Sequence, residues 1–229
     1  MSTLTTTQKV TSVAAAVTAA LAGYTTAQAQ LEEIVVTATK KSESLQDIAG
    51  SVQALTEDTL KKANVVGMED YAKLIPSMSY VNYTPGTGKV YFRGIADDNG
   101  TFISEESSAL YLNEQPITQA GMAADVRMVD VNRIEALAGP QGTLYGSSAQ
   151  SGAIRIITNK PDTSEFSAVG DMTLKMMGEG ESSYDFSGVV NVPITDNFAI
   201  RAVGFTAEDG GFIDVVDGQS ARVGLNNNS

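Results

Sequence analysis

The stretch DVNRIEALAGPQGTLYGSSAQSGAIRIITNKP, Asp130 to Pro161, decides how the rest of the chain is read. Ile134 and Leu137 open it with the spacing of a strand or short turn, and glycine or proline follows at Gly139, Pro140, Gly142, Gly146, Gly152 and Pro161. So much glycine argues against a helix, and each glycine marks a place where the backbone turns with positive φ or another backbone comes close. The run Ala153 to Ile157 reads as apolar, and Leu144, Tyr145, Ala149, Ile154 and Ile156 alternate with the glycines. That regularity predicts a tightly folded core rather than a linker.

Many of these positions recur at the spacing of a known family. Arg133-Ile134-Glu135, Gly139-Pro140-Gln141-Gly142, Leu144-Tyr145-Gly146, Ala149, Gly152, Ile154, Ile156, Thr158 and Pro161 resemble the plug region of TonB-dependent outer-membrane receptors. The resemblance implies an α+β, mixed-sheet plug domain with short helices, followed by antiparallel strands of an incomplete transmembrane β-barrel. The chain departs from the pattern at Ala138, where an arginine able to pair with the barrel wall is usual. It departs again at Ser151, which places a Cβ where the family has glycine.

Met1 to Ala29 has the order of a secretory signal: Lys9 is its only charge, Val10 to Ala22 are small and apolar, and Ala27-Gln28-Ala29 is an A-x-A cleavage site. The expected organisation is a signal peptide (1–29), a leading segment and linker (30–47), a plug domain (48–162) and first barrel strands (163–229). The 229 residues carry a net charge of −12, which argues against a nucleic-acid partner. Neither cysteine nor histidine is present, so a thiolate metal site, a zinc hydrolase, a Ser-His-Asp triad and a typical haem site are excluded on inventory. No cofactor or metal is expected. Glu105 and Glu106 are adjacent acids in a loop, read as solvated rather than as a catalytic pair.

Glu33-Ile34-Val35-Val36-Thr37-Ala38 is a short β-branched run beside a polar tract, Thr39 to Asp47. Six such residues bury too little to offset about 1 kcal/mol each of backbone ordering, so the run reads as an edge strand in need of a sheet. One alternative is the first strand of the folded domain. The resemblance implies the other: a TonB box at Glu33 to Ala38, which pairs as an added strand with the periplasmic protein TonB.

Downstream, Ser51 to Leu55 alternates as a strand, and Thr56 caps a short helix carrying Leu60 and Ala63 that Gly67 breaks. Met68, Tyr71, Ala72 and Ile75 share one face of a second helix ended by Pro76. Lys89 to Gly94 and Ala109 to Leu112 read as strands. Family position makes Arg93, Gln119, Gly121 and Met122 the ligand-facing candidates. Asn113-Glu114 stands where the family has Asp-Gly, and Glu114 there predicts a longer loop or stored strain.

From Phe166 the chain alternates over longer strands. Phe166, Ala168, Gly170, Met172, Leu174 and Met176 fall on one face and Ser167, Asp171, Thr173 and Lys175 on the other, with a turn expected at Pro193 to Asn197. A barrel wall and a soluble antiparallel sandwich share this period. A plug-holding barrel needs about 22 strands, whereas the residues after Glu165 make about three or four.

The function expected from the resemblance is TonB-dependent import, across the outer membrane of a Gram-negative cell, of a siderophore-like metal chelate, cobalamin or glycan. The partners expected are TonB, that ligand, the outer membrane and the remainder of the barrel. The alternative is a secreted, non-enzymatic binding or assembly module of α/β plus β-meander type.

Overall fold

The computed structural model describes residues 33–84, 87–95, 106–118, 122–176 and 182–210. In chain order the elements are β1 (Val35–Val36), β2 (Glu43–Ser44), β3 (Val52–Thr56), α1 (Glu57–Lys62), α2 (Met68–Leu74), β4 (Met78–Thr84), β5 (Thr87–Phe92) and β6 (Ser108–Leu112). There follow β7 (Gln115–Pro116), β8 (Ala123–Ala124), β9 (Val131–Ala138), α3 (Gly142–Tyr145), β10 (Gly152–Thr158), β11 (Ser167–Lys175), β12 (Ser183–Thr195) and β13 (Phe198–Glu208).

The decisive stretch supplies the middle of a five-stranded mixed sheet ordered β3-β9-β10-β6-β7. Strand β10 is antiparallel to β9 and parallel to β6. Between β9 and β10 the expectation of no helix fails, because Gly142–Tyr145 makes one helical turn. Gly139 (φ 111°) and Gly146 (φ 79°) take the turning conformations on either side, while Gly142 is neither left-handed nor crowded, so a single turn fits between them. Gly152 is the close approach: a Cβ there would stand 2.4 Å from the Phe92 ring and 2.6 Å from the Leu137 carbonyl oxygen.

Because side chains alternate across a strand, the sheet has two different faces. Ile134, Ala136, Ala138, Ile154 and Ile156 point to one and pack with Leu60, Met68, Tyr71, Ile75, Val90 and Phe92 from the helices and the β4–β5 hairpin. Leu137 and Ala153 point to the other, where Val36, Ala38, Tyr145 and Ala149 cover them. The leading segment is therefore the roof of the second face. Burying a side chain the size of Val36 contributes on the order of 1.5–3 kcal/mol, which a six-residue run in water lacks.

Helix α1 is capped by Thr56, whose side chain accepts from the Thr59 amide, but it ends at Lys62, and Asn64 turns with φ 50° before Gly67 is reached. Helix α2 is capped from outside its own sequence: Asp125 Oδ1 accepts from the Met68 amide at 2.7 Å. At the β6–β7 turn, Leu112 pairs with Gln115, so the loop is two residues, and only Asn113 (φ 54°) is left-handed. Glu114 is neither in a longer loop nor strained, since a turn of this kind asks for positive φ at its first central residue alone.

Strands β11, β12 and β13 form an antiparallel sheet. Phe166, Met172, Leu174 and Met176 are exposed on its outer face, as the alternation predicted. Strand β12 runs into the first part of the expected turn, as far as Thr195, and β13 starts at Phe198 as expected. Pro193 lies in the ladder beside a register shift, a place where its missing N–H is tolerated, and the chain turns after Thr195.

Candidate functional site

The cross-strand register sets Arg155 of β10 opposite Glu135 of β9, both on the sheet face roofed by the leading segment. Each is buried, and Arg155 Nη1 donates to Glu135 Oε2 at 2.6 Å. Glu135 Oε1 accepts from Arg133 Nε at 2.8 Å and from the backbone amide of Thr37 at 2.8 Å. Arg155 Nη1 also donates to the Thr37 hydroxyl at 2.8 Å. One residue further on, the Tyr145 hydroxyl donates to the Ala38 carbonyl at 2.5 Å. The plug-motif side chains thus grip the main chain of the leading segment at Thr37 and Ala38. Burial of Tyr145 is the main reason that its hydroxyl pKa is pushed up to about 12, so it stays a donor at neutral pH.

The outer part of the cluster is Glu114, whose Oε1 takes Arg155 Nη2 and whose Oε2 takes Lys40 Nζ, both at 2.5 Å. Lys40 Nζ also lies 4.7 Å from the centre of the Tyr145 ring, a cation–π distance. The Lys40 hydrogen bond is the largest influence on Glu114 and holds its carboxyl below the usual range; burial opposes it and Arg155 adds to it.

A second set of ion pairs joins the central domain to the long strands. Arg127 pairs with Asp185, and Arg201 Nε and Nη2 donate to the two oxygens of Asp130 at 2.7 and 2.5 Å. These pairs line a cavity of about 360 Å³ that also meets Lys61, Asp171, Thr173 and Ser187. Asp171, Thr173, Asp185 and Ser187 of β11 and β12 therefore face the domain, with Val169 and Val189 on the same face.

Residues 44–153 match the family model described as the TonB-dependent Receptor Plug Domain. This segment is a TonB-dependent receptor plug domain. Over 152 residues the chain is 31% identical to the pesticin receptor of Yersinia pestis, covering 63% of this chain and 21% of that protein. It is 26% identical over 147 residues to the vitamin B12 transporter BtuB of Vibrio vulnificus, covering 60% and 22%. Among solved structures, the ferric yersiniabactin uptake receptor FyuA of Yersinia pestis matches with TM-score 0.60 at 24% identity, over 71% of this chain and 24% of that one. The ferripyoverdine receptor of Pseudomonas aeruginosa matches with TM-score 0.63 at 19% identity, over 79% and 23%. The chain thus spans about a fifth of the curated relatives it matches.

Of the plug-motif residues, the structure brings Arg133, Glu135 and Tyr145 together at the leading segment, while Pro140, Gln141, Gly142 and Leu144 lie around α3, with Leu144 exposed. Ala138 is buried in the plug core, and the contacts to the long strands come from Arg127 and Asp130 instead. Ser151 accommodates its Cβ: its buried hydroxyl donates to the Ser107 carbonyl at 3.0 Å and lies 2.9 Å from the Ser108 hydroxyl.

The run Glu33 to Ala38, read from sequence as an edge strand beside a solvated tract, is paired within the plug: Val35 lies opposite Ser44 and Val36 opposite Glu43. The polar tract folds back because Ile34, Leu45 and Ile48 pack on the same apolar cluster as Val36 and Ala38. Glu33 is exposed at the start of the described segment. Arg93 is an exposed left-handed turn residue with φ 53°, and Met122 is half-buried; Gln119 and Gly121 lie outside the described residues. Glu105 lies outside them too, whereas Glu106, read as solvated, is buried where the chain enters β6.

Arg155 is the residue that sequence reading missed, since it sits in a run taken as apolar. The available signal was the alternation itself, which puts position 155 in phase with Ala153 on the face opposite Ile154 and Ile156.

Proposed function

We propose that this chain is the plug and first wall strands of a TonB-dependent outer-membrane importer, and that Glu33 to Ala38 is the segment TonB grips. The observation that carries the reading is the seating of that segment: a short strand, held at Thr37 and Ala38 by Glu135, Arg155 and Tyr145, on the sheet built by the plug motif. A β-branched strand held mainly through its backbone suits strand addition, because main-chain hydrogen bonds supply affinity to any partner with a free edge.

In this reading no bond is broken. Ligand bound at the outer side shifts the equilibrium of the leading segment from docked to free, TonB pairs with the freed strand, and a pull along it rearranges the plug until the ligand passes. The long strands supply the wall: Met172, Leu174, Phe186 and Ile200 are exposed on one face, and ion pairs tie the other face to the plug. The relatives are named for pesticin, vitamin B12 and ferric yersiniabactin, which supports a bulky, scarce ligand such as a ferric chelate or a cobalamin. Arg93 and Met122, with Gln119 and Gly121, are the plug residues proposed to meet it.

The test is deletion of Glu33 to Ala38 in the complete receptor, with a panel of ferric chelates and cyanocobalamin as probes. The expected result is unchanged surface binding of the probe that the intact receptor takes up, with uptake abolished. Uptake that survives the deletion overturns the reading.

A further inference from the structure

We propose that Glu114 is a positioning residue, a clasp that holds Ile34 to Lys40 down on the plug and sets how often that segment is free to pair with another strand. The inference deepens the function proposed above and rests on it for the identity of the partner; the clasp itself rests on geometry alone.

Glu135 holds the Thr37 backbone from inside the sheet, and Glu114 is the carboxylate that ties the Lys40 side chain of the leading segment to Arg155. One oxygen takes Lys40, on the segment, and the other takes Arg155, in the sheet, both at 2.5 Å. The turn that carries it is pinned: Asn113 accepts from the Thr158 amide at 3.0 Å, and its own amide donates to the Ile156 carbonyl at 2.7 Å. A left-handed Asn113 then delivers the next side chain over Arg155. Burial separates the members of the cluster. The Arg155 side chain is 1% exposed and that of Glu135 0%, but the Glu114 side chain is 66% exposed. The inner grip on Thr37 is sealed, and Glu114 is the member that water or an approaching charge reaches first. Without it, Arg155 keeps Glu135 and Thr37, so the sheet survives, whereas the Lys40 ammonium is left with the Tyr145 and Tyr111 rings among the described residues. Loss of Glu114 therefore loosens the segment more than the domain.

The experiment uses trypsin on the complete receptor purified in detergent, with cleavage after Lys41 followed by mass spectrometry and cleavage after Lys62 as the internal reference. Both lysines are exposed, and Lys62 lies in α1, away from the clasp. Glu114→Gln and Lys40→Met are each expected to speed cleavage after Lys41 by about three- to tenfold, the range of a charge-assisted contact at a partly exposed site. The double variant is expected to be no faster than the faster single, because both remove the same contact. Cleavage after Lys62 stays constant. An unchanged Lys41 rate in both variants overturns the clasp, and so does a rise at Lys62 in step with Lys41, which means general loosening. In parallel, a purified TonB carboxy-terminal fragment is expected to bind the Glu114→Gln receptor more tightly. Faster cleavage with no change in that binding leaves the clasp standing and removes TonB as the partner.

Discussion

Arg155 and Glu135 meet across β10 and β9 at 2.6 Å with both side chains sealed from solvent, beneath the segment whose backbone they hold. Two charges in such a place are stable only as a set: each solvates the other, and Thr37, Arg133 and Glu114 take up further donors and acceptors, while Arg155 Nε has no hydrogen-bond partner among the described residues. Glu135→Ala leaves a buried guanidinium facing a void. It is expected to lower the unfolding free energy by about 3–5 kcal/mol, measured by chemical denaturation of the purified protein, and Arg155→Ala is expected to do the same from the other side.

Glu114 and Asp130 both have carboxyls held below their ordinary values of 4.5 and 3.8. For Glu114 the Lys40 hydrogen bond leads. For Asp130 burial is the largest single influence and pushes upward, but hydrogen bonds from Arg201 and Asn159 outweigh it. A depressed folded-state pKa contributes stability that is present above the ordinary value and lost as pH falls through the folded one. Docking of the leading segment is thus expected to weaken progressively below about pH 4.5. Hydrogen exchange of the Thr37 amide, corrected for intrinsic rates between pH 3 and 6, reads it, and in Glu114→Gln the acid-induced rise should shrink.

Asp125 carries the opposite sign. Burial, the largest cause, raises its carboxyl above the ordinary 3.8, against a hydrogen bond from Met68 that favours the charged form. The stability linked to its protonation is present at low pH and disappears as pH rises through the raised value. Asparagine keeps an acceptor for the Met68 amide without burying a charge, so Asp125→Asn is expected to leave stability at pH 7 within about 0.5 kcal/mol. Asp125→Ala uncaps α2 and costs about 0.5–2 kcal/mol, a difference that thermal unfolding of the two variants resolves.

Gly152 tolerates no side chain. A Cβ there meets the Phe92 ring at 2.4 Å and the Leu137 carbonyl at 2.6 Å, and a neighbouring strand's backbone cannot swing aside as a side chain tip does. Gly152→Ala is expected to destabilise by about 1–3 kcal/mol or more. Adding Phe92→Leu relieves the ring clash alone, so a double variant as stable as Phe92→Leu by itself contradicts the backbone argument.

Much of the fold was legible because its signals are local. The spacing of Gly139, Gly146 and Gly152, the apolar face Met68-Tyr71-Ala72-Ile75 and the alternation after Phe166 depend on residues a few positions apart, and each corresponds to what the structure holds. Misreadings were local as well. The helical turn Gly142–Tyr145 escapes a rule about glycine that holds for longer helices, and Pro193, where the sequence predicts a turn, lies in a strand that absorbs it beside a register shift. What sequence could not offer was the cluster itself. Thr37 and Arg155 stand 118 residues apart, Lys40 and Glu114 74 apart, and no pattern along the chain pairs them.

By itself, then, the amino-acid order carried the plug resemblance, the apolar face of the second helix and the alternation of the long strands, because periodicity and backbone-specific glycines act over short spans. Only the tertiary structure decided that the leading strand is seated rather than free and that Glu114 bridges it to Arg155. Side chains distant in sequence become neighbours only when the sheet register brings them to one face, and the ion pairs there exist only once that face is closed to water.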